Sequence, residues 1–480
     1  MRAPFPSRPG RALLVLFVGL LALPSLPAYA AEAAADPTRE SLQKQIDQLQ
    51  RDLKRLERAN SAVEPMVDEK INKQWVTAGF NLKDGFFIQD PTKEYRLRIG
   101  GYTQLDGRFF VDDSEEKNTD QFLFRRARTI LEGSLTRFID FKIMPDFAGS
   151  SVQLFDAYVD VKPFDEYRDW AKLRAGKFKT PVGLERMQSA TAIPLVERGA
   201  PTNLVPNRDI GLEIWGAPWA GTILYELGVF DGAPDLGNIN GNLGDDFTFA
   251  GRVFAQPFAT WPAEGGALSP LRGLGVGIAG SWGDVEGSVS STDLPAYRSF
   301  GQATIFQYVN GGDADNTAVS RGTLSRINPQ GYYYWGPFSS QAEYVWSSTP
   351  VQLGDVNENI ANKAWELEAG WVLTGEDAGY RGVTPANPFN PWNGNWGALE
   401  VVGRYDELEI DNAAFQLGFA DAKKSVRQEQ GFGGGLNWYW NRNIKISLDY
   451  YHTWFKKGAS TGTLNRPTED VFIARLQLLL

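Results

Sequence analysis

A period of two in the hydrophobic pattern, running from residue 95 to residue 480, restricts the fold more than any other feature. In YRLRIGGYTQLDGRFF, residues 95–110, apolar and small side chains occupy the odd positions and mostly polar ones the even positions. The alternation recurs in FDAYVDVK at 155–162, with Phe155 on the apolar face, and in NIKISLDYY at 443–451. Such a pattern predicts β-strands with one apolar and one polar face. We therefore expect an all-β protein over residues 95–480.

Two architectures use strands of this kind. A soluble sandwich turns the apolar faces inward, whereas an outer-membrane barrel turns them toward lipid and lines a water-filled lumen with the polar faces. Short Trp-flanked segments at 214–221 and 437–443 are typical of turns at a membrane interface, and the polar, Gly-rich segment 231–246 is typical of an extracellular loop. FIARLQLLL at 472–480 would be a closing strand that removes a sheet edge. These features favour an antiparallel transmembrane β-barrel, with the sandwich as the alternative.

The first thirty residues have the three parts of a secretory signal peptide. Three arginines accompany an apolar run at 12–23, and Ala-Tyr-Ala at 28–30 is a cleavage signal. A membrane-spanning helix would need about 20 apolar residues, and Pro24 ends the run too early. We expect residues 1–30 to be removed on export.

The segment 38–63 has a helical period instead. Apolar residues recur at spacings of four and three, which makes a heptad seam: Leu42, Ile46, Leu49, Leu53 and Leu56. A helix of about three heptads is marginal alone, so association with helices of other copies is expected, and a single solvated helix is the alternative. The predicted organisation is a signal peptide at 1–30, a periplasmic coiled-coil helix at 31–64, a linker with a short hairpin at 65–94, and the barrel at 95–480.

Composition argues against several function classes. The chain has no Cys and one His, so neither thiol chemistry nor a transition-metal site is expected. That residue, His452, shares the apolar face of its strand, and the sequence has neither a Walker loop nor a nucleophile elbow. The net charge of −10 becomes more negative once the leader arginines are lost, which disfavours nucleic acid as a partner. We expect no enzymatic activity and no cofactor.

Nine motifs are spread over the whole predicted barrel: IGGYTQLDGRF, FLFRRARTILEG, LFDAYVDV, LRAGKFKTPVGLER, PLVERG, SSQAEYVW, LEVVGRYDELEI, GGGLNWYWNRNIKISLDYY and FIARLQLLL. Together they resemble the phosphate-selective porin O and P family of Gram-negative outer membranes. The resemblance implies sixteen strands, a homotrimer, and a setting of outer-membrane lipids and lipopolysaccharide. It also implies passive, anion-selective diffusion of phosphate or polyphosphate-like solutes through an arginine-lined constriction.

The motif FLFRRARTILEG holds three arginines within four residues. The period of two places Arg126 and Arg128 toward the lumen and gives Arg125 the wrong parity, which predicts that Arg125 lies at the strand mouth. Arginine stays charged at physiological pH, and its planar fork matches the oxygens of a phosphate. The cluster is therefore predicted to bind anions, and the alternative is a solvated or ion-paired lumen wall.

The resemblance assigns further residues. It places Arg125 and Arg126 in the central binding site, Arg186 and Arg198 in an inward-folded constriction loop at 185–208, and Asp156 as a lumenal acid that offsets the arginines. Four further arginines form a predicted basic ladder in the lumen: Arg96, Arg98, Arg108 and Arg174.

Within the predicted arginine site, this chain departs from the family pattern at two positions. Tyr102 stands where the family has an arginine, and Arg128 stands where the family usually has a tyrosine. The departures keep the total charge and move its position. Arg404 is expected to pair with Asp406, so that its loss would have little effect on selectivity.

Two other functions remain open at this point. One is a general-diffusion porin without a specific anion site. The other is a structural outer-membrane tether or adhesin that uses the coiled coil, although a tether gives no reason for the arginine cluster.

Overall fold

The computed structural model describes residues 44, 46–58, 76–81, 85–111, 119–164, 169–241, 245–261, 269–458 and 465–480. Two compact units are present, residues 1–74 and residues 75–480. In the first unit, residues 46–58 are helical, and Ile46, Leu49, Leu53 and Leu56 are exposed. Association of this helix with other copies stays a prediction, and the signal peptide lies outside the described residues. Among the described helices, none is long and apolar enough to cross a membrane.

The second unit consists almost entirely of strands. In chain order they are β1 (Thr77–Asn81), β2 (Gly85–Gln89), β3 (Arg96–Phe110), β4 (Gln121–Thr136), β5 (Ile139–Asp146), β6 (Gln153–Val161), β7 (Lys172–Phe178), β8 (Asp209–Gly216), β9 (Ile223–Phe230), β10 (Thr248–Ala255), β11 (Leu274–Glu286), β12 (Ala296–Arg298), β13 (Thr304–Gln307), β14 (Val319–Trp335), β15 (Phe338–Leu353), β16 (Val356–Val372), β17 (Ala398–Glu409), β18 (Val426–Asn441), β19 (Ile444–Lys457) and β20 (Glu469–Leu479). Short helical turns lie in the connections at Leu184–Met187, Ala200–Leu204, Pro218–Gly221, Ser269–Gly273, Pro391–Asn393 and Ala413–Gln416.

Sixteen of these strands close into one antiparallel barrel, as predicted. Each barrel strand pairs with its neighbours in sequence, and β20 pairs with β3 from Val471 opposite Phe110 to Leu479 opposite Tyr102. The hairpin of β1 and β2 continues the sheet beside the first residues of β3, and β12 and β13 form a separate pair within a loop. Closure leaves the barrel strands without an unpaired edge.

The alternation predicted for the strands is present in the structure. On β3, Leu105 and Phe109 are exposed on the outer surface, whereas Gln104 and Asp106 are fully buried on the lumenal side. His452 lies on the outer side of β19 and contacts Asp470 at 2.7 Å. Large apolar side chains outside and polar ones inside are the arrangement that a lipid-facing barrel requires.

Three connections fold into the lumen and fill much of it. The β7–β8 connection, residues 179–208, is called the inward loop below, and it buries Leu195 and Val205 completely. In the β11–β14 connection, Tyr297 is completely buried and Phe300 is 4% exposed. The β16–β17 connection enters from the opposite end, where the hydroxyl of Tyr380 donates to the carbonyl oxygen of Leu184 at 2.6 Å. The open path is therefore confined to one side of the barrel.

Two β-bulges change which residues face the lumen. On β4, Gln104 pairs with Arg126 and Leu105 pairs with Phe124, so Arg125 is an extra residue. On β6, Met144 pairs with Asp156 and Pro145 pairs with Leu154, which makes Phe155 the extra residue. A bulge adds one residue to a strand and reverses the parity beyond it. The placement of Arg125 at the strand mouth and of Phe155 on the outer face was therefore wrong, because both side chains turn toward the lumen.

Candidate functional site

The lumen contains a cavity of about 800 Å³ between strands β3–β7 and the inward loop. Among the described residues that line it are ten cationic side chains: Arg125, Arg126, Arg128, Lys142, Arg174, Lys179, Arg186, Arg198, Arg208 and Arg298. The acidic residues in the same lining are Asp156, Glu197 and Asp235. The cavity therefore has a large excess of positive charge, which attracts anions.

The inward loop is held by carboxylates on the far wall of the barrel. Backbone amides of the loop donate to carboxylates on β15, β17 and β19: Leu184 and Glu185 to Glu343 at 2.8 and 3.0 Å, Val196 to Asp449 at 2.6 Å, and Ala200 to Asp406 at 3.0 Å. Buried backbone N–H groups require acceptors, and a carboxylate is a strong one. The loop thus directs backbone amides toward an acidic wall and cationic side chains toward the cavity.

Buried cations on the same wall bind the carbonyl groups of the loop. Both terminal nitrogens of Arg404 donate to the Glu197 carbonyl at 3.2 and 3.1 Å, and Arg475 donates to the Val196 carbonyl at 2.5 Å. Arg404 also lies 3.4 Å from the carboxylates of both Glu185 and Asp406. The expected pair with Asp406 is present, but Arg404 additionally joins two parts of the inward loop, at Glu185 and at Glu197.

Glu197 is the acid at the centre of the arginine cluster. Arg125 reaches its carboxylate with two nitrogens, at 2.6 and 3.1 Å, and Arg108 reaches it at 2.7 Å. Burial would raise the pKa of Glu197, but attraction by Arg125 and Arg108 outweighs burial and holds the pKa well below its usual range. The charge of Arg125 is thus largely compensated by a loop residue that the sequence did not point to.

Tyr102 and Arg128 occupy directly paired positions on β3 and β4. The Arg128 guanidinium donates to the Tyr102 hydroxyl at 2.7 Å and pairs with Asp146 at 2.7 Å. Its Cζ atom lies 3.8 Å from the centre of the Phe155 ring, a cation–π contact. Both positions that depart from the family pattern therefore meet in one contact, and Arg128 is held by three partners.

Asp156 lies on the other side of Phe155. It accepts a hydrogen bond from Arg208 at 3.2 Å and pairs with Lys142 at 3.2 Å. Arg208 also lies 4.7 Å from the Phe155 ring centre, so Phe155 separates the guanidiniums of Arg128 and Arg208. This position fits the offsetting role expected for Asp156.

Three cations of the inward loop have only neutral acceptors. Lys179 donates to the carbonyls of Met187 and Gln188 at 3.1 and 2.9 Å, and Arg198 donates to those of Glu185 and Gln188, both at 2.9 Å. Arg186 donates to the Thr202 carbonyl at 2.9 Å and to the Asn207 side chain at 3.2 Å.

Among the described residues, no carboxylate forms an ion pair with any of these three cations. Burial and repulsion from Arg208 and Arg198 lower the pKa of Lys179 well below its usual range. Lys179, Arg186 and Arg198 therefore lie close together without an ion-pair partner among the described residues, and we call them the loop cation triplet.

The four arginines of the predicted ladder are dispersed. Arg174 lines the main cavity and pairs with Asp160 at 2.8 and 2.9 Å. Arg96 and Arg98 line a separate cavity of about 300 Å³. It lies at the end of the barrel where β3 begins and β20 ends. Arg108 is not among the residues that line either cavity, because it is buried behind Glu197.

In its contacts, Arg126 is intermediate between the ion-paired arginines and the loop cation triplet. It donates to the side-chain oxygen of Gln104 at 2.7 Å and lies 4.0 Å from Glu197. Together, Arg125, Arg126, Arg128, Arg186 and Arg198 line one cavity with Tyr102 and Asp156, and their role as an anion site stays a prediction. The lining contains six charged residues that were not predicted as site residues: Lys142, Lys179, Glu197, Arg208, Asp235 and Arg298. The basic stretch KFKTPVG, residues 177–183 at the start of the loop, was the available signal for Lys179.

A profile of the phosphate-selective porin O and P family matches residues 97–479. Porin O of Pseudomonas aeruginosa is 26% identical over 418 residues, which cover 82% of this chain and 91% of that protein. The outer membrane channel DcaP of Acinetobacter baumannii superposes with a TM-score of 0.49 at 10% identity, over 84% of this chain and 100% of the other. An anion-selective porin from Comamonas acidovorans gives 0.48 at 11% identity, over 81% and 100%.

The contacts of Arg404 predict that it holds the inward loop against the wall. Removing one partner of a buried ion pair costs on the order of 3 to 5 kcal/mol, so Arg404→Met should release the loop around Glu185 and Glu197. We expect trypsin to cut the folded variant after Arg186 or Arg198, as mass spectrometry of the fragments would show, and to leave the parent protein intact there.

Arg427→Met is the matched control, because Arg427 pairs with Glu409 at 2.9 Å on strands β17 and β18 without contact to the loop. Equal resistance of the Arg404 and Arg427 variants would show that the loop does not depend on Arg404.

Proposed function

Because the chain belongs to the phosphate-selective porin O and P family, and is therefore an outer-membrane porin, we propose that its cationic cavity is the constriction of an anion-selective pore that admits phosphate. The charge excess of the cavity supports anion preference over cations. The name of Porin O's family supports phosphate as the solute to test first. Permeation through such a pore is passive, and the protein acts as a channel rather than an enzyme.

The loop cation triplet carries the proposal. Hydrogen bonds to carbonyl groups orient Lys179, Arg186 and Arg198 without neutralising them, so a phosphate would supply the negative charge that the protein omits. At about 4 Å and an effective dielectric near 20, one such contact is worth about 4 kcal/mol before desolvation is subtracted. Several of them together suffice to bind an anion in competition with water.

The neighbouring ion pairs keep that binding reversible. Glu197 and Asp156 partly compensate Arg125 and Arg208, and Asp160 compensates Arg174. Conduction requires sites that bind strongly enough for entry and weakly enough for exit. A strong site flanked by compensated arginines meets both requirements, because an ion can step along contacts of moderate strength.

We further propose that the contact between Tyr102 and Arg128 moves the principal site toward the inward loop. Arg128 is engaged by Asp146 and Tyr102, so it offers an anion less free charge than Arg186 or Arg198 does. The resemblance assigns Arg125 and Arg126 to the central site. Both are likewise partly engaged, because each lies within 4.0 Å of the Glu197 carboxylate. The anion would then contact chiefly loop side chains.

The assembly is also proposed rather than observed. Three barrels would associate, with residues 31–64 as a periplasmic helix and residues 1–30 removed on export. A general-diffusion porin is the alternative, and it would conduct anions without binding them.

Arg186→Gln combined with Arg198→Gln tests the site. In planar bilayers, phosphate added stepwise to chloride should block the chloride current of the parent pore. Loss of one charge-assisted contact costs roughly 1.5 to 3 kcal/mol, so the double variant should require at least about tenfold more phosphate for the same block.

Arg321→Gln serves as the control for loss of charge, because Arg321 is exposed and pairs with Glu286 at 3.1 Å. Additive conductance without block in the parent protein would favour the general-diffusion porin. Block that is unchanged in the double variant would place the site elsewhere.

The lowered pKa of Lys179 predicts a pH dependence. The lysine becomes neutral as pH rises through values below the usual ~10.4, so it contributes to anion binding at low pH and loses that contribution as pH rises. Sulfate is the suitable probe, since its charge is constant over this range. Sulfate block should weaken with rising pH in the parent protein and change little in Lys179→Arg. The same pH dependence in both proteins would show that Lys179 does not take part.

A further inference from the structure

The cationic cavity also contains apolar side chains, although the lumen of a transmembrane barrel is ordinarily lined with polar residues. Among the residues that line it are Ile130 on β4, Tyr158 on β6, Leu236 in the β9–β10 connection and Leu294 in the β11–β14 connection. Each of the four is only partly buried, so apolar surface remains open to the cavity. We call these four residues the apolar lining.

Two members of the apolar lining belong to the barrel wall. Ile130 occupies a lumenal position of β4, two residues after Arg128, and packs against a buried cluster that includes Tyr102. Tyr158 lies on β6, and the guanidinium carbon of Arg174 is 4.3 Å from the centre of its ring. Apolar surface and guanidinium groups are therefore neighbours on this wall.

The β9–β10 connection brings Leu236 to the inward loop. The amide of Leu236 donates to the Val205 carbonyl at 2.9 Å. The carbonyl of Gly237 accepts from the amides of Asn207 and Arg208 at 2.9 and 3.1 Å. These bonds hold Leu236 beside Arg208, which lines the same cavity. Leu236 is thus fixed before a solute arrives, which lowers the entropy cost of binding.

The β11–β14 connection is joined to the inward loop as well. The side-chain amide of Asn203 donates to the Arg298 carbonyl, and its oxygen accepts from the Arg298 amide, both at 3.0 Å. Leu294 lies four residues before this contact and packs, like Leu236, against a buried apolar core. Two separate connections therefore each place a leucine in the cavity that the loop cation triplet lines in part.

The size of the cavity fits an organic solute. Its volume of about 800 Å³ lies within the range of about 300–1,000 Å³ that is typical of sites for organic ligands, which combine apolar lining with a few polar or charged groups. A bare phosphate ion would fill only a small part of that volume. The cavity therefore leaves room for a molecular body beside an anionic group.

We propose that the pore binds organic anions with an apolar body, such as aryl phosphates, in preference to inorganic phosphate. The inference rests on the proposed function, because the loop cation triplet would bind the anionic group of such a solute. The apolar lining would contact its body, and burial of apolar surface increases affinity in proportion to the area buried. Inorganic phosphate has no such surface, so it would bind through charge and hydrogen bonds alone.

Block of the chloride current in planar bilayers tests the preference. Phenyl phosphate, ribose 5-phosphate and inorganic phosphate are compared at about pH 8, well above the second pKa of about 6 of a phosphate ester, so that all three are mainly dianions. Phenyl phosphate should reach half-block at a concentration at least about tenfold below that of inorganic phosphate, since burial of part of a phenyl ring is worth about that factor. Ribose 5-phosphate, which has a polar body of similar size, should gain much less.

The failure of this inference differs from the failure of the anion site. Phosphate block that phenyl phosphate does not exceed, or equal half-block by phenyl phosphate and ribose 5-phosphate, would overturn the preference for an apolar body and leave the phosphate site in place. A chloride current that none of the three anions blocks would refute the anion site and this inference with it. Block by phenyl phosphate alone would support the inference.

Ile130→Asn combined with Leu294→Asn removes apolar surface without a change of charge. The ratio of the half-block concentration of inorganic phosphate to that of phenyl phosphate should fall at least about threefold in this variant. Val356→Asn combined with Leu417→Asn is the matched control, because both side chains are exposed and neither lines the cavity. An equal ratio in the two variants would refute contact with the apolar lining. The comparison of anions in the parent protein does not require either variant to fold.

Discussion

Hydrogen bonds between the backbone amides of the inward loop and carboxylates on the far wall are the interaction on which the site depends. Glu343, Asp406 and Asp449 accept from the loop, and Arg404 and Arg475 donate to its carbonyl groups. Backbone groups inside a barrel have no sheet partners of their own, so a loop can enter the lumen only where side chains replace them. The acidic wall thereby stabilises a loop whose cationic side chains face the opposite way.

This division of charge explains how one barrel can contain many acids and still select anions. Carboxylates on β15–β19 are used to hold the loop and lie outside the lining of the cavity. The acids that do reach the cavity, such as Glu197 and Asp156, each contact more than one cation. Positive charge therefore remains in excess along the open path, where low-dielectric walls strengthen its field. Closure of the β-sheet supplies the rigid frame that fixes both walls.

The sequence predicted the barrel, its lumenal face and most of the central arginines, because strand parity is a local property. Arg126 and Arg128 face the lumen as their parity indicates, whereas Arg125 and Phe155 do so through bulges that no local pattern revealed. The contacts that hold the inward loop could not be predicted either. Glu185 and Arg404, for example, are far apart in the chain and meet only after the barrel has closed. For the same reason the sequence did not show which cations are neutralised and which remain free to bind an anion.

The position of a bound anion in a crystal would show directly whether the loop cation triplet is the binding site. Arsenate has the shape and charge of phosphate and scatters X-rays anomalously, so crystals grown with it would mark the site without reference to conductance. We expect an anomalous peak within hydrogen-bond distance of Lys179, Arg186 and Arg198. A peak confined to Arg125 and Arg128, or a cavity without a peak, would contradict it.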